Sequence, residues 1–357
     1  MAPRCGRGKL CGVSAISDSL PMVQRLVLWP LAAAYAAAVR VRNWRYDRLA
    51  GASHPAPVPT ISIGNITVGG TGKTPVVIET VRRLLAMGRR PGVLSRGYGS
   101  KPPEAADEVR ELRQAIPDVP IVVDPDRVAG AATAVERFGV DCLVLDDGFQ
   151  HRRLRRQLDV VLIDALRPWG GGAVLPAGRL REPLSGLRRA GLFIITRANQ
   201  LPASQLHDIE RALAARNADA PVLRAEVRPT ALVFADEEPA EPGTLAYHNV
   251  LPICGLGNPD TFLRSVGHLA GRLCEPVVFA DHQHYRPRHV QRIVRVARRC
   301  GADLVVTTRK DWVKLAPLWA AGSPDELPLA RLEVRLQLDD PGGLFDELLR
   351  AALEEHA

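Results

Sequence analysis

Apolar and polar positions along the 357-residue chain change pattern twice. Residues 20–39 are almost wholly apolar (LPMVQRLVLWPLAAAYAAAV), and Arg40, Arg42, Trp44, Arg45, Tyr46 and Arg48 follow. A spanning helix needs about 20 apolar residues without a charge, whereas Arg25 and two prolines interrupt this run. The pattern predicts a membrane-associated helix over 20–48, lying in the surface with its arginine-rich end at anionic headgroups. A helix packed on the protein's own body is the alternative. Residues 1–19 are basic and without periodicity, which predicts a flexible N-terminus rather than a secretory signal.

Beyond the extended stretch 55–59, short apolar runs alternate with helical patterns. The runs at 60–63, 91–95, 120–123, 142–145, 160–163 and 192–196 predict strands, and the amphipathic run 76–87, closed by Gly88, predicts a helix. Such alternation argues for an α/β fold, a parallel sheet with helices on both faces, whose ligands collect at the carboxyl ends of the strands. Two short β-like runs near 221–234 and an acidic, proline-containing stretch from 236 to 242 predict a β-ribbon linker over 221–242. A second, smaller α/β unit over 243–357 then begins, with strands at 250–254, 276–279 and 303–307. The first unit occupies 49–220, and no internal repeat or heptad is present.

A hydrophobic content of 46% with 24% charged residues describes an ordinary globular protein and excludes disorder through most of the chain. The net charge of +8 points to an anionic partner: nucleic acid, an acidic membrane surface or a phosphorylated substrate. No aromatic-basic module supports nucleic acid. Six scattered cysteines without a CxxC pair read as reduced thiols of a cytosolic protein, not as a zinc site or a disulfide framework.

The first strand leads into Gly64-Asn65-Ile66-Thr67-Val68-Gly69-Gly70-Thr71-Gly72-Lys73-Thr74-Pro75. Gly69, Gly70, Thr71 and Gly72 bare backbone N–H groups to a phosphate, Lys73 reaches the β/γ-phosphates, and Thr74 offers a hydroxyl to Mg²⁺ at a helix start. Thr67 stands where the usual phosphate-loop pattern has its first glycine. Three further motifs follow predicted strands: Ser95-Arg96-Gly97-Tyr98-Gly99, Asp124-Pro125-Asp126-Arg127, and Asp146-Asp147-Gly148-Phe149-Gln150-His151. An apolar strand ending in Asp146-Asp147 suits Mg²⁺ beside a phosphate loop, because hard carboxylate oxygens order a hard cation, and either acid can be the closer one. The arginines at 152, 153, 155 and 156 read equally as a solvated basic face or as a lipid contact.

With LPAGRLREP, GLGNPDTF, ADHQHY and TTRKDWVKL further along, this ordered set of motifs, from about residue 20 to 315, resembles the tetraacyldisaccharide 4′-kinases of lipid A biosynthesis. The resemblance implies ATP- and Mg²⁺-dependent transfer of the γ-phosphoryl group to the 4′-hydroxyl of a tetraacyl disaccharide 1-phosphate, forming lipid IVA. It also implies a peripheral enzyme at the cytoplasmic face of the bacterial inner membrane, built as a phosphate-loop domain joined by a β-ribbon to a smaller α/β domain.

Carried across by motif, the catalytic pair falls on Asp107 and His282. Asp107-Glu108 keeps the family's acids but lacks the flanking glycine and proline, and His284 competes with His282. A carboxylate beside an imidazole makes an effective base near neutral pH. Lys73 and Arg127 would neutralise charge on the phosphoryl oxygens, Glu108 would join Thr74, Asp146 and Asp147 at the metal, and Gln150 would help order that site. Tyr98 would line a pocket, and Arg179 would grip the phosphate already on the lipid. The competing reading is a GTPase or metallochaperone-like switch, with Thr308-Arg309-Lys310-Asp311 as a degenerate guanine-reading motif.

Overall fold

The computed structural model describes residues 22–49, 51–97, 107–235, 238–256, 259–280, 283–322 and 327–355, with the backbone alone at 22–26, 107, 321 and 322. Residues 1–19, Tyr98 and His282 lie outside these, as does the side chain of Asp107.

A helix, α1 (Met22–Arg48), precedes a strand-helix alternation: β1 (Thr60–Asn65), α2 (Lys73–Ala86), β2 (Pro91–Ser95), α3 (Asp107–Ala115), β3 (Ile121–Val123), α4 (Arg127–Phe138), β4 (Cys142–Asp146), β5 (Leu158–Asp164), β6 (Leu192–Thr196), α5 (Ala203–Ala214) and β7 (Val222–Val233). The six strands expected in this half all form, because each is a short apolar run; all but the half-buried edge strand β3 are largely buried within the parallel sheet. Their order is β7-β6-β5-β1-β4-β2-β3, every neighbour parallel. Helices α2 and α3 cover one face and α4 and α5 the other.

The second half holds β8 (Pro239–Ala240), β9 (Asn249–Cys254), α6 (Asp260–Leu269), β10 (Arg272–Leu273), β11 (Val277–Val278), α7 (Pro287–Cys300), β12 (Leu304–Thr308), α8 (Arg309–Gly322), β13 (Leu329–Asp339) and α9 (Leu344–Glu354). Two expectations change here. The two short runs near 221–234 are one twelve-residue strand, β7, which pairs parallel with β6 on one side and, on the other, antiparallel with β13 along Arg224–Val233. Pro229 suggests a break because it cannot donate to a ladder, yet it sits at a register shift between Glu333 and Val334, where a bulge accommodates it. The ribbon thus joins both halves into one continuous sheet.

The C-terminal helix also departs from the expected 243–357 unit. Phe345, Leu349, Ala352 and Leu353 of α9 pack with Ile61, Val76, Val160 and Leu162 of the first half, and Arg83 lies over the Phe345 ring, 5.2 Å from its centroid. The chain leaves the phosphate-loop half along β7 and returns along β13.

Because β13 opposes β7, strands of the second half run against those of the first. The carboxyl-end loops of the two halves nevertheless meet. Gln200, just after β6, donates through Nε2 to Thr261 Oγ1 at the start of α6, 3.0 Å away. The first turns of α8 lie against α3, with Arg309 and Lys310 beside Glu111.

Along α1, Ala32, Ala36 and Val39 are buried against the body, while Val27, Trp29, Leu31, Val41 and Trp44 face outward, the two tryptophans 62% and 56% exposed. Asp47 pairs with Arg152 at 2.5 Å. Arg153 pairs with Asp126, and Arg156 is buried against Asp159, so three of the four arginines in that run serve the fold. No helix of the described residues is long and apolar enough to cross a membrane.

Truncating the fully buried Phe345 to Ala should destabilise the phosphate-loop half by about 3–5 kcal/mol, read by denaturant unfolding; an unchanged midpoint would place α9 elsewhere. Burial pushes the Glu111 carboxyl up to about 7, against the pull of Lys310 and Arg309. Its folded value exceeds the unfolded one near 4.5, so the stability linked to it is full below pH 4.5 and lost as pH rises through 7. Glu111→Gln should therefore gain on the wild type by roughly 1–3 kcal/mol at pH 8 relative to pH 4, and parallel pH profiles would contradict this.

Candidate active site

The phosphate loop follows a strand buried at all six positions and held between β4 and β5. Gly69 and Gly72 have φ of +113° and +80°, conformations glycine takes at no steric cost. Helix α2 begins at Lys73 with Gly72 as its N-cap and no side chain bonded to its first N–H groups. Those donors and the positive end of the helix dipole face out beside Lys73, an arrangement suited to phosphate. The loop is braced from behind: Asn65 Nδ2 donates to Thr71 Oγ1 at 2.8 Å, Thr196 Oγ1 to the Thr71 carbonyl at 3.0 Å, and Arg197 Nη2 to the Gly70 carbonyl at 2.8 Å. Thr67, in place of glycine, pairs with Leu180 across an isolated antiparallel bridge.

Asp146 and Asp147 arrive beside this loop at the end of β4. A Cβ on Gly64 would stand 2.6 Å from Phe149 Cβ, so glycine there lets the acid-bearing turn close onto β1. Asp146 is buried, with Ser95 Oγ 3.2 Å from its Oδ2. Burial and then the Glu108 charge push its carboxyl up to about 6, with Lys73 opposing. Asp147 has a left-handed φ of 56°. Burial works against its charge too, but Lys73 and Arg181 outweigh burial and hold the carboxyl below the ordinary range. Lys73 Nζ lies 3.5 Å from Asp147 Oδ1, and Arg181 Nη1 lies 2.6 Å from Oδ2.

Other residues singled out in the sequence have varied surroundings. Arg127, the first residue of α4, is buried and bonds the carbonyls of Asp124 and Asp146 at 2.5 and 3.3 Å, bracing the turn that carries the acids. Gln150 donates to the Asn65 carbonyl and to Glu182 at 2.9 and 3.0 Å, a node between phosphate loop and acids. Arg179 lies against the phosphate loop itself: its guanidinium is 3.3 Å from the Val68 carbonyl, and a Cβ on Gly69 would meet it at 2.7 Å. Glu108 is exposed on α3, near enough to Asp146 to raise its carboxyl. Asp107 opens α3.

Three neighbours escaped the sequence reading. Arg181 and Glu182 stand in the LPAGRLREP motif, but nothing in the motif tells which of its charges faces the site. His151 is half-buried, and burial with the Arg127 and Arg96 cations pushes its imidazole down to about 4, leaving it neutral.

In the second half, Asp311 is buried and accepts from the Gly255 N–H, the Tyr285 hydroxyl and the Thr308 hydroxyl at 3.0, 2.9 and 2.7 Å. Its oxygens fasten the loop that follows β9 and the segment that follows 281–282, which leaves it no role in reading a guanine base and removes the basis of the switch reading.

A phosphate loop at the end of a buried central strand, with two acids at the next strand end, defines a phosphate-loop nucleotide-binding enzyme of α/β class. A family model described as LpxK, tetraacyldisaccharide-1-P 4′-kinase, matches residues 24–354. A tetraacyldisaccharide 4′-kinase of Anaeromyxobacter dehalogenans (strain 2CP-C) is 38% identical over 321 residues, covering 85% of each chain. One of Syntrophus aciditrophicus (strain SB) is 37% identical over 345 residues, 90% of this chain and 91% of the relative. A crystal structure described as the apo form of LpxK from Aquifex aeolicus in complex with ATP superposes with a TM-score of 0.69 at 26% identity, covering 92% of this chain and 99% of that one. The chain belongs to the tetraacyldisaccharide 4′-kinase family, and so is an ATP-binding lipid kinase of lipid A biosynthesis.

Proposed function

We propose a division of labour among these residues for the reaction of the family, transfer of the γ-phosphoryl group of ATP to the 4′-hydroxyl of a tetraacyl disaccharide 1-phosphate, giving lipid IVA. The observation that carries it is the uncapped helix start at Lys73, facing the buried Asp146 and the half-buried Asp147 in a chain that matches the family over nearly its whole length. The N–H groups from Gly69 to Thr74 hold the phosphates, and Lys73 releases Asp147 to meet the γ-phosphoryl oxygens. Arg127 serves the same charge from behind, by holding Asp146 in place.

A Mg²⁺ ion fits the donors present. Asp147 Oδ1 is buried without a hydrogen bond, and Asp146 is a buried carboxylate with the Ser95 hydroxyl as its side-chain partner. No group of three or more acidic, cysteine or histidine side chains among the described residues forms a metal cluster; Mg²⁺ on a kinase is commonly held by one or two carboxylates plus substrate phosphates. When bound, Mg²⁺ would supply charge neutralisation to the phosphates during transfer. Thr74, Asp146, Asp147 and Glu108 are the residues that would hold it or order its water.

Asp107 and His282 act together as the base that takes the proton of the 4′-hydroxyl. Supporting this, α3, which Asp107 opens, lies against the first turns of α8, and Tyr285, three residues beyond 282, is held by Asp311 on that same helix. Tyr98 lines the pocket. With Arg179 on the phosphate loop, its charge serves the nucleotide phosphates in preference to the phosphate already on the lipid.

The outward face of α1, with Trp29, Leu31 and Trp44 and its arginine-rich end, seats the enzyme on the anionic cytoplasmic face of the inner membrane.

Lys73→Ala and Thr74→Ala should abolish turnover while leaving the unfolding transition unchanged; wild-type turnover in either would sink this reading. Asp107→Ala and His282→Ala should each lower kcat by about 10²–10⁴-fold with little change in ATP affinity, and the double variant should lose far less than the product of the two. Multiplicative losses, or a normal rate for His282→Ala beside a dead His284→Ala, would show the wrong pair. Trp29→Ala with Trp44→Ala should reduce sedimentation with anionic vesicles and raise KM for micellar lipid but not for ATP; equal binding would reject the membrane role.

A further inference from the structure

Helix α1 is wired into the phosphate site through one short segment. Residues 179–182 run against the start of the phosphate loop: the Val68 N–H donates to the Arg179 carbonyl at 2.8 Å, and the Arg181 N–H to the Ile66 carbonyl at 2.8 Å. On its other side the same segment meets α1. Tyr35 Oη donates to the Arg181 carbonyl at 2.7 Å, and Asn43 Nδ2 to Glu182 Oε2 at 3.0 Å. Glu182 is fully buried and is held besides by Arg189, at 2.9 and 3.0 Å, and by Gln150. From the middle of this strap the Arg181 guanidinium reaches Asp147, whose other oxygen faces Lys73.

We propose that Arg181 is a positioning residue for phosphoryl transfer, which holds Asp147 for the phosphate site and is itself held by the lipid-facing helix through Tyr35 and Asn43. The inference deepens the proposed function and rests on its reading of Asp147 and of α1. Its physical content is that the surface does more than concentrate enzyme at its substrate. The bond from Tyr35 to the Arg181 carbonyl is exposed, so water competes for it while α1 is free. Seating the outward face of α1 in a lipid surface excludes that water and strengthens the bond, because a lower local dielectric raises the value of every hydrogen bond within it. The strap is then held more tightly, and with it the carboxylate that Lys73 must leave.

The seating helix thereby contributes to kcat, whereas an anchor alone would contribute to KM for lipid. Arg181→Met removes the charged end and keeps much of the stem; Arg181→Lys restores charge without the second guanidinium donor. Tyr35→Phe deletes one hydroxyl and leaves the apolar face of α1 intact.

The test uses the full chain, saturating ATP and Mg²⁺, and a short-acyl disaccharide 1-phosphate below its micelle concentration, with and without anionic phospholipid vesicles. Wild-type kcat on this soluble acceptor should rise on adding vesicles. Arg181→Met should lose roughly 10- to 100-fold in kcat, the scale of one hydrogen bond to a charged group, with KM for acceptor and the unfolding midpoint unchanged, and Arg181→Lys should recover part of the loss. Tyr35→Phe should sediment with vesicles like the wild type yet lose the vesicle-dependent rise.

Normal kcat in Arg181→Met, or a full vesicle effect in Tyr35→Phe, would overturn the inference. So would an Arg181→Met defect confined to KM, or one accompanied by a lower unfolding midpoint that Arg181→Lys restores without restoring kcat. The Lys73→Ala control separates the two levels: if it is dead while Arg181→Met is normal, only this inference falls, and if it is active, the reading of the phosphate site falls with it.

Discussion

The chemistry of this chain depends on one buried strand. β1 is closed to solvent along its length between β4 and β5, and its register sets Ile63 beside Asp146. That pairing decides where the phosphate loop opens and where the two acids arrive, so loop and carboxylates share the carboxyl end of the sheet. Gly64 permits the close approach of the acid-bearing turn, and Asn65, Thr196 and Arg197 hold the loop from behind. The cost is a crowded set of charges. Lys73 and Arg181 divide Asp147 between them, while Asp146 is left buried and raised to about 6, a state that a cation would reverse.

The long ribbon of β7 and β13 joins the second half to the first. The antiparallel pair reverses the strand direction of the second half, yet the carboxyl-end loops of both halves meet at Gln200 and Thr261 and along α3 and α8. Asp311 then ties the loop after β9 to Tyr285 at the end of the ADHQHY motif. The helix α9 returns to the first half, so the second half is attached by both strands of the ribbon and cannot move without bending them.

Much of the first half was legible because its strands are apolar runs closed by turn residues, and a strand of that kind needs no distant partner to be recognised. β2 and β6 match the expected limits, and the phosphate loop and the Asp146-Asp147 turn were readable for the same reason. The ribbon was not legible as it stands, since the partner of β7 lies about 100 residues further on and Pro229 mimics a break. An amphipathic helix such as α9 declares an apolar stripe but not the surface that stripe covers. Charge roles failed similarly: of the arginines at 179 and 181, spacing could not tell which meets the phosphate loop and which meets Asp147. The resemblance to one family carried what spacing could not, naming the lipid acceptor; the pair Asp107 and His282 stands as a proposal from the same resemblance.

The central claim, that the phosphate loop and its acids serve transfer to a lipid and not a nucleotide switch, is tested most directly by following label. Purified enzyme is incubated with γ-labelled ATP, Mg²⁺ and a tetraacyl disaccharide 1-phosphate in detergent micelles, and the lipid is extracted and analysed. The account predicts label on the 4′ position of the disaccharide, in proportion to ADP formed, with unlabelled ATP in excess suppressing it and GTP suppressing it far less. ATP hydrolysis without labelled lipid, or a preference for GTP that is indifferent to the lipid, would contradict it.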